Sequence, residues 1–272
     1  MTAVAILGAA GRMGRTLIER VAAAEDLRLV AATVRADSEW IGRDAGDIAG
    51  CGCLDVALTD APGDAAAAAA VVVDFTLPDA LEANLAAATA AGTPVVIGTT
   101  GVDAAGEKAI RRASAQIPIV YAANYSSGVT LLRRLVQTAA AALGDDYDVE
   151  IMEAHHRDKR DAPSGTAWAL GESVARGRGV RLEDYAIQAR DGIVGERPAG
   201  AIGFQALRGG DIVGEHTVML AGDGERLELT HRASSRATFA RGALRAARWA
   251  VERPAGLYDM DDVLGLNDRA PD

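Results

Sequence analysis

An apolar run, Ala3–Leu7, breaks into Gly8-Ala9-Ala10-Gly11-Arg12-Met13-Gly14 and continues into a segment of helical character. A strand that ends in glycines and reopens as a helix is the first βα turn of a parallel sheet. Small residues there let a backbone approach a pyrophosphate, and amides at the helix N-terminus supply donors and a favourable dipole for its charge. The spacing is G-x-x-G-x-x-G, with Ala10 where a second glycine usually stands. The loop therefore reads as a dinucleotide cradle or, more plainly, as a tight strand-to-helix turn. Arg12 either meets a phosphate or is an exposed charge in a first helical turn.

The pattern repeats over the first 120 residues. Strands are expected at Ala3–Leu7, Leu29–Val34, Val71–Phe75, Pro94–Ile97 and Ile119–Tyr121, with helices at Gly14–Ala24, Asp79–Ala91 and Ala104–Ala115 between them. The alanine run Ala65–Ala70 belongs to a further helix, since alanine is the best helix former. After Ser126 the order changes. A helix over Gly128–Ala142 leads to a strand at Asp148–Ala154, and the runs Ile202–Arg208, His216–Ala221 and Glu225–His231 follow one another across glycine-rich turns. Strands that succeed strands imply a mixed or antiparallel sheet. The expected fold class is α/β: a doubly wound, Rossmann-like nucleotide domain over residues 1–126, completed by 237–272, and a second α+β domain over 127–236. The helical segment Ala237–Val251 is expected to pack back on the first domain.

Composition narrows the functional classes. The 272 residues carry a formal net charge of −10, which argues against a broad nucleic-acid surface, so an anionic ligand has to meet a local basic cluster. Cys51 and Cys53 are too few for a disulfide framework or a cysteine-rich zinc site. The N-terminal apolar stretch has no basic region before it and reads as a strand, not a signal peptide. No segment approaches the roughly 20 apolar residues of a membrane helix, so the expected compartment is the cytoplasm.

The second strand ends in Val34-Arg35, where a site selecting NAD usually carries Asp or Glu for the adenosine ribose. A guanidinium there suits a 2′-phosphate and favours NADPH; alternatively, Arg35 is a solvated strand-end charge. Gly98-Thr99-Thr100-Gly101 and Ala122-Ala123-Asn124-Tyr125 follow two further strands, so these loops gather at the carboxyl edge of the sheet and leave space for a nicotinamide ring. Thr99 and Thr100 either hydrogen-bond a carboxamide or substrate, or cap a turn.

The densest chemistry lies in Glu153-Ala154-His155-His156-Arg157-Asp158-Lys159-Arg160-Asp161-Ala162-Pro163-Ser164-Gly165-Thr166-Ala167. It holds two of the four histidines and one of only two lysines, followed by hydroxyls and amides at a helix start. Such a pairing of basic cluster and helix start suits a small dianion. His155 can exchange a proton near neutral pH, and an ammonium, unlike a guanidinium, can lose one. The rival readings are a solvated basic loop, a metal site and a serine nucleophile. The last two lack H-E-x-x-H spacing and a G-x-S-x-G elbow.

Together GAAGRMG, DFT at Asp74–Thr76, VIGTTG at Val96–Gly101, AANYS at Ala122–Ser126, the Glu153–Ala167 stretch, GDIVGEHT at Gly210–Thr217 and HRASSR at His231–Arg236 resemble the dihydrodipicolinate reductase family nearly end to end. The resemblance implies hydride transfer from NADPH or NADH to a small dicarboxylate, the dehydrated form of 4-hydroxy-tetrahydrodipicolinate. It implies His155 as catalytic proton donor or acceptor and Lys159 as second proton donor. Substrate would lie on His156, Gly165, Thr166 and Thr100. The nucleotide would lie on Gly8, Ala9, Ala10, Gly11, Arg12, Met13, Gly98, Thr99, Thr100, Ala122, Ala123, Asn124 and Tyr125, with Arg35 near any 2′-phosphate. No metal, nucleic acid or membrane partner is expected, and the family pattern implies a homotetramer built through the second domain's sheet. The remaining alternatives are a related dehydrogenase of another dicarboxylate and a nucleotide sensor without turnover.

Overall fold

Along the first strand, β1 (Thr2–Leu7), successive side chains enter different cores: Val4 and Ile6 join one buried cluster, Ala5 and Leu7 another. A strand buried on both faces has to lie inside a sheet with helices on either side. The computed structural model, which describes residues 1–267, has this arrangement. It divides into two units, one holding Met1–Ser127 and the segment from Arg236 onward, the other Gly128–Ser235.

In the first unit β1 is followed by α1 (Arg12–Ala22), β2 (Leu27–Thr33), α2 (Ala45–Ala49), β3 (Leu58–Thr59), α3 (Pro62–Ala68), β4 (Val71–Asp74), α4 (Pro78–Ala91), β5 (Val95–Ile97), α5 (Ala104–Ser114) and β6 (Pro118–Tyr121). Then come α6 (Ser127–Leu143), β7 (Asp148–His155), α7 (Gly165–Arg178), α8 (Leu182–Tyr185), β8 (Ala186–Ile187), β9 (Ile202–Arg208), β10 (Gly214–Gly222) and β11 (Glu225–Ala233). The segment α9 (Ala237–Ala250), β12 (Gly256–Tyr258) and α10 (Met260–Leu264) belongs to the first unit. None of the helices among the described residues is long and apolar enough to cross a membrane.

The first sheet has the order β12-β6-β5-β4-β1-β2-β3, with every pairing parallel. Winding reverses between β1 and β4, so the loop after β1 opens at the point where crossovers leave in opposite directions. Alanines of α3 pack on one face, and α1 and α9 on the other. Glycine permits the closest approaches. A Cβ on Gly14 in α1 would sit 2.2 Å from the Gly8 carbonyl oxygen, and one on Gly242 in α9 would sit 1.6 Å from that of Tyr125.

The second sheet, ordered β11-β10-β7-β9-β8, is mixed: β7, β9 and β8 are parallel, whereas β10 runs antiparallel to both β7 and β11. Val149, Ile151, Ile202, Phe204, Val218 and Leu220 form its core with Leu132 and Val136 of α6 and Leu170 and Val174 of α7. Strand parity turns Glu153 and His155 to this helix-covered face and Met152 and Ala154 to the other.

Several boundaries differ from those expected. The first helix begins at Arg12 instead of Gly14 because Gly11, extended at φ −70° and ψ 165°, already serves as its N-cap. The second strand spans Leu27–Thr33 instead of Leu29–Val34, with the alternation of buried and exposed residues starting at Leu27. The elements α2, β3, α8, β8, β12 and α10 have no counterpart in the expectation, being too short to display a period. Long-range bonds hold them. The Asp44 carboxylate alone accepts from the amides of Gly46, Asp47, Leu54 and Val56, tying α2 to the chain ahead of β3.

Substituting Gly242→Ala should therefore force α9 away from the Tyr125 carbonyl and cost about 1–3 kcal/mol, a fall in Tm of several degrees. Gly63→Ala, where an added Cβ meets nothing within 4 Å, should leave Tm unchanged or slightly raised. Equal Tm values for the two variants would contradict the close approach.

Candidate active site

In the first unit the glycine loop is built for proximity. Gly8 adopts φ +80°, a conformation that favours glycine, and its Cβ position lies 3.0 Å from the Phe75 carbonyl oxygen. The amides of Gly8 and Ala9 both donate to Thr33 O, and that of Gly11 donates to Gly8 O. The first intrahelical bond of α1 runs from Arg15 N–H to Gly11 O, so the amides of Arg12, Met13 and Gly14 stand at the open end of the helix. Ala9 is buried, whereas Gly11 and Arg12 are exposed. Arg15 donates through Nε to Ala10 O and lies over the Trp40 ring.

Gly98, Thr99 and Thr100 follow β5, and Ala122 to Tyr125 follow β6, on the same carboxyl edge. Gly98 is required there, because a Cβ would meet the Phe75 ring at 2.3 Å. Thr99 is buried and its hydroxyl oxygen has no hydrogen-bond partner, while Thr100 is exposed. Asn124 accepts from Ser126 N–H. Tyr125 differs from its neighbours: its side chain is buried, donates to the core carbonyls of Ile97 and Val120 and packs against Phe75, so only its backbone is available to a ligand. Arg35 projects from the end of β2 with 81% of its side chain exposed, 3.6 Å from Asp37. Glycines that keep the cradle clear and an unpaired buried hydroxyl at the end of β5 fit a dinucleotide.

In the second unit the stretch from Glu153 to Thr166 folds around one carboxylate. Glu153 is fully buried; its Oε1 accepts from Ser164 N–H at 3.0 Å and Arg208 Nη2 at 2.8 Å. Its Oε2 accepts from Arg208 Nη1 at 2.8 Å and lies 2.6 Å from His155 Nδ1. Arg208 also donates to the carbonyls of Leu207 and Asp161, and so fastens the loop that carries Lys159. Lys159 holds both oxygens of Asp161, at 2.8 and 2.9 Å. His156 is half-buried, and its carbonyl accepts from Lys159 N–H.

Ser164 caps α7, its hydroxyl accepting from Ala167 N–H, and contacts His216 Nε2 at 3.0 Å. The helix ladder begins with Trp168 N–H to Ser164 O, so Gly165 and Thr166 lie in the first turn of the helix. Gly165 is exposed, and an added Cβ would meet nothing within 4 Å. The His216 ring stands edge-on to His155 with centroids 5.1 Å apart.

Burial pushes His155 below its ordinary value, with Lys159 and Arg208 adding to the shift and Glu153 opposing it. For Glu153 burial acts upward, but Arg208, His155 and the Ser164 amide together hold the carboxyl below its ordinary range. Burial, reinforced by the charge of His155, lowers His216 to about 4. The cluster is thus an ionised carboxylate, the His155 imidazole bonded to it, the neutral His216 imidazole and the Lys159 side chain in the loop that leads to the start of α7.

The structure gathers His155, His156, Lys159, Gly165 and Thr166 in the second unit, and the residues from Gly8 to Met13, Gly98 to Thr100 and Ala122 to Asn124 along one sheet edge of the first. Sequence reasoning missed Arg208 and His216 as members of the site. Both lie within or beside segments that carry recognisable motifs, but their registers against β7, His155 with Arg208 and Glu153 with His216, follow from strand pairing.

Comparison with known proteins gives concordant matches for both halves. Residues 2–125 match the family described as dihydrodipicolinate reductase, N-terminus, and residues 128–264 the one described as dihydrodipicolinate reductase, C-terminus. The chain is 55% identical over 265 residues to a 4-hydroxy-tetrahydrodipicolinate reductase of Alkalilimnicola ehrlichii, covering 97% of this chain and 99% of the relative. It is 53% identical to the reductase of the same name from Halorhodospira halophila, covering 97% and 98%. A dipicolinate-bound dihydrodipicolinate reductase from Paenisporosarcina sp. TG-14 has a similar fold, with TM-score 0.76 at 23% identity over 95% of this chain and 97% of that one.

The buried His216 makes stability depend on pH. Because its folded value, about 4, lies below the ordinary 6.5, the unfolded chain binds the extra proton between these limits. The associated stability is complete above pH 6.5 and is lost as pH falls towards 4. His216→Gln should therefore flatten the decline of Tm over that window; an unchanged slope would mean that His216 is not held neutral.

Proposed function

The chain belongs to the dihydrodipicolinate reductase family, and on that premise we propose that it transfers a hydride from NAD(P)H to the dehydrated form of 4-hydroxy-tetrahydrodipicolinate, giving tetrahydrodipicolinate in the diaminopimelate route to lysine. One observation carries the reading: an imidazole and the capping residue of a helix meet at a single buried carboxylate, with an ammonium in the loop between them, in a half of the chain that matches the family. A sensor that only binds nucleotide has no need of a proton donor.

When bound, a reduced nicotinamide supplies the hydride. The residues of this chain orient and protonate. Gly8, Ala9, Ala10, Gly11, Arg12 and Met13 hold the pyrophosphate against the start of α1, while Gly98, Thr99, Thr100, Ala122, Ala123, Asn124 and the Tyr125 backbone receive the nicotinamide end. Arg35 meets a 2′-phosphate, and its exposure with a distant Asp37 as counter-ion leaves the guanidinium available, which favours NADPH. The amides of Gly165 and Thr166 bind one substrate carboxylate, assisted by His156 and Thr100. Lys159 exchanges Asp161 for substrate and balances its charge. Hydride addition at one end of a conjugated system makes the other end basic, and His155 delivers the proton there, with Lys159 as second donor.

Assembly as a homotetramer accompanies this reading. Within the second unit no described helix covers the sheet face bearing Met152, Gln205, Leu207 and Thr217, and Leu207 is 64% exposed. A cytoplasmic setting, where reduced pyridine nucleotides are available, completes it.

NADPH should be oxidised only when 4-hydroxy-tetrahydrodipicolinate is supplied; binding without oxidation would favour a sensor. In the same assay His155→Gln should lower kcat by about 10²–10⁴-fold with nucleotide affinity retained, and Arg35→Ala should penalise NADPH more than NADH. Normal turnover in the first variant, or equal losses with both nucleotides in the second, would remove those roles. Sedimentation should give a tetramer that Leu207→Glu weakens; a monomer at micromolar concentration would refute the assembly.

A further inference from the structure

We propose that Glu153, clamped by Arg208, is a positioning residue: it fixes His155 with its hydrogen on Nδ1 and thereby assigns Nε2 as the atom that exchanges a proton with substrate. The assignment rests on the reductase reading for its reaction, but on hydrogen-bond accounting for its geometry. A backbone amide and a guanidinium can only donate, so three of the four contacts to the Glu153 oxygens are fixed as donors. Protonating Oε2 would leave the Arg208 fork facing a neutral acid in a buried site, with the guanidinium charge uncompensated. The carboxylate is therefore ionised, and the fourth contact, at 2.6 Å, requires His155 Nδ1 to be the donor.

Once Nδ1 is committed, Nε2 is the remaining site for acid–base exchange. The space beside it is kept open by Gly214, where an added Cβ would lie 3.1 Å from Nε2. The groups facing the ring are Glu153 on β7, Arg208 on β9, His216 on β10, and Lys159 with its partner Asp161 in the loop after β7. His216 is occupied by Ser164 through Nε2 and does not compete for Glu153. Before the proton step the ring takes up a second proton from solvent on Nε2; in the reaction that Nε2–H bond breaks as a bond from the hydrogen to the newly basic substrate atom forms. The imidazole is left neutral with Nδ1–H still on Glu153, and solvent later returns the proton to Nε2. Arg208 acts one step further back, by keeping the carboxylate charged and in place.

The tautomer can be read directly in the full-length protein carrying 15N-labelled histidine, with the His155 resonances assigned by their loss in His155→Gln. The expected result is a neutral His155 protonated on Nδ1 and bare on Nε2. A neutral ring with its hydrogen on Nε2 would overturn the proposal, and this measurement needs no substrate and no variant at Glu153. In Glu153→Gln the tautomers should mix, kcat should fall about 10²–10⁴-fold with KM little changed, and the alkaline limb of the kcat/KM profile, set by loss of the proton that His155 donates, should move to lower pH, because the neighbour that favours the imidazolium is lost. Glu153→Asp should restore part of that pH shift. An unchanged tautomer and pH profile in Glu153→Gln would also overturn the proposal, whereas an Nδ1–H tautomer in a protein that never oxidises NADPH would support the positioning and sink the reductase reading.

Discussion

A carboxylate sealed from water has to be given donors, and the second unit is arranged to supply four of them to Glu153. Two come from Arg208 on β9, one from the amide that opens α7 and one from His155 on the same strand. The cost of removing an ion from water is offset only when its lone pairs are filled with good geometry. That demand settles the register of β9 beside β7, the entry of the chain into α7 and the orientation of the imidazole. The contacts that make the fold tolerable also make the chemistry available.

The nucleotide unit follows a similar economy with backbone in place of charge. Its glycines sit where a methyl group would strike a carbonyl oxygen or a ring: Gly14 against Gly8, Gly98 against Phe75, Gly242 against Tyr125. Phe75 and Tyr125 wedge the ends of β4 and β6, and the hydroxyl of Tyr125 bridges β5 and β6. Loops supported in this way hold their amides still, and a phosphate-binding loop gains from such preorganisation because less ordering remains to be done on binding.

Much of this was legible beforehand. Alternating apolar runs and glycine turns marked the parallel sheet, and each of the five expected strands of the first unit exists with its edges moved by no more than two residues. The concentration of His155, His156, Lys159 and the Ser164-Gly165-Thr166 turn marked the stretch that the second unit folds around Glu153. Arg208 and His216 were not marked, since each lies more than fifty residues from its partner in the cluster. Tyr125 read as a ligand-facing residue because its loop does face the sheet edge, yet its side chain turns inward to two carbonyls that local sequence cannot identify.

The amino-acid order by itself determined which segments become most of the strands and helices, where glycine lets the backbone pass closely, and which short stretch carries the titratable groups. These are local matters of periodicity, steric freedom and side-chain chemistry. The tertiary structure alone decided which arginine meets the buried carboxylate, which histidine stands beside His155 and stays neutral, and which amides begin the helix ladders. Those outcomes depend on hydrogen-bond register and burial between distant strands, and a sequence contains no local signal for a distance across a sheet.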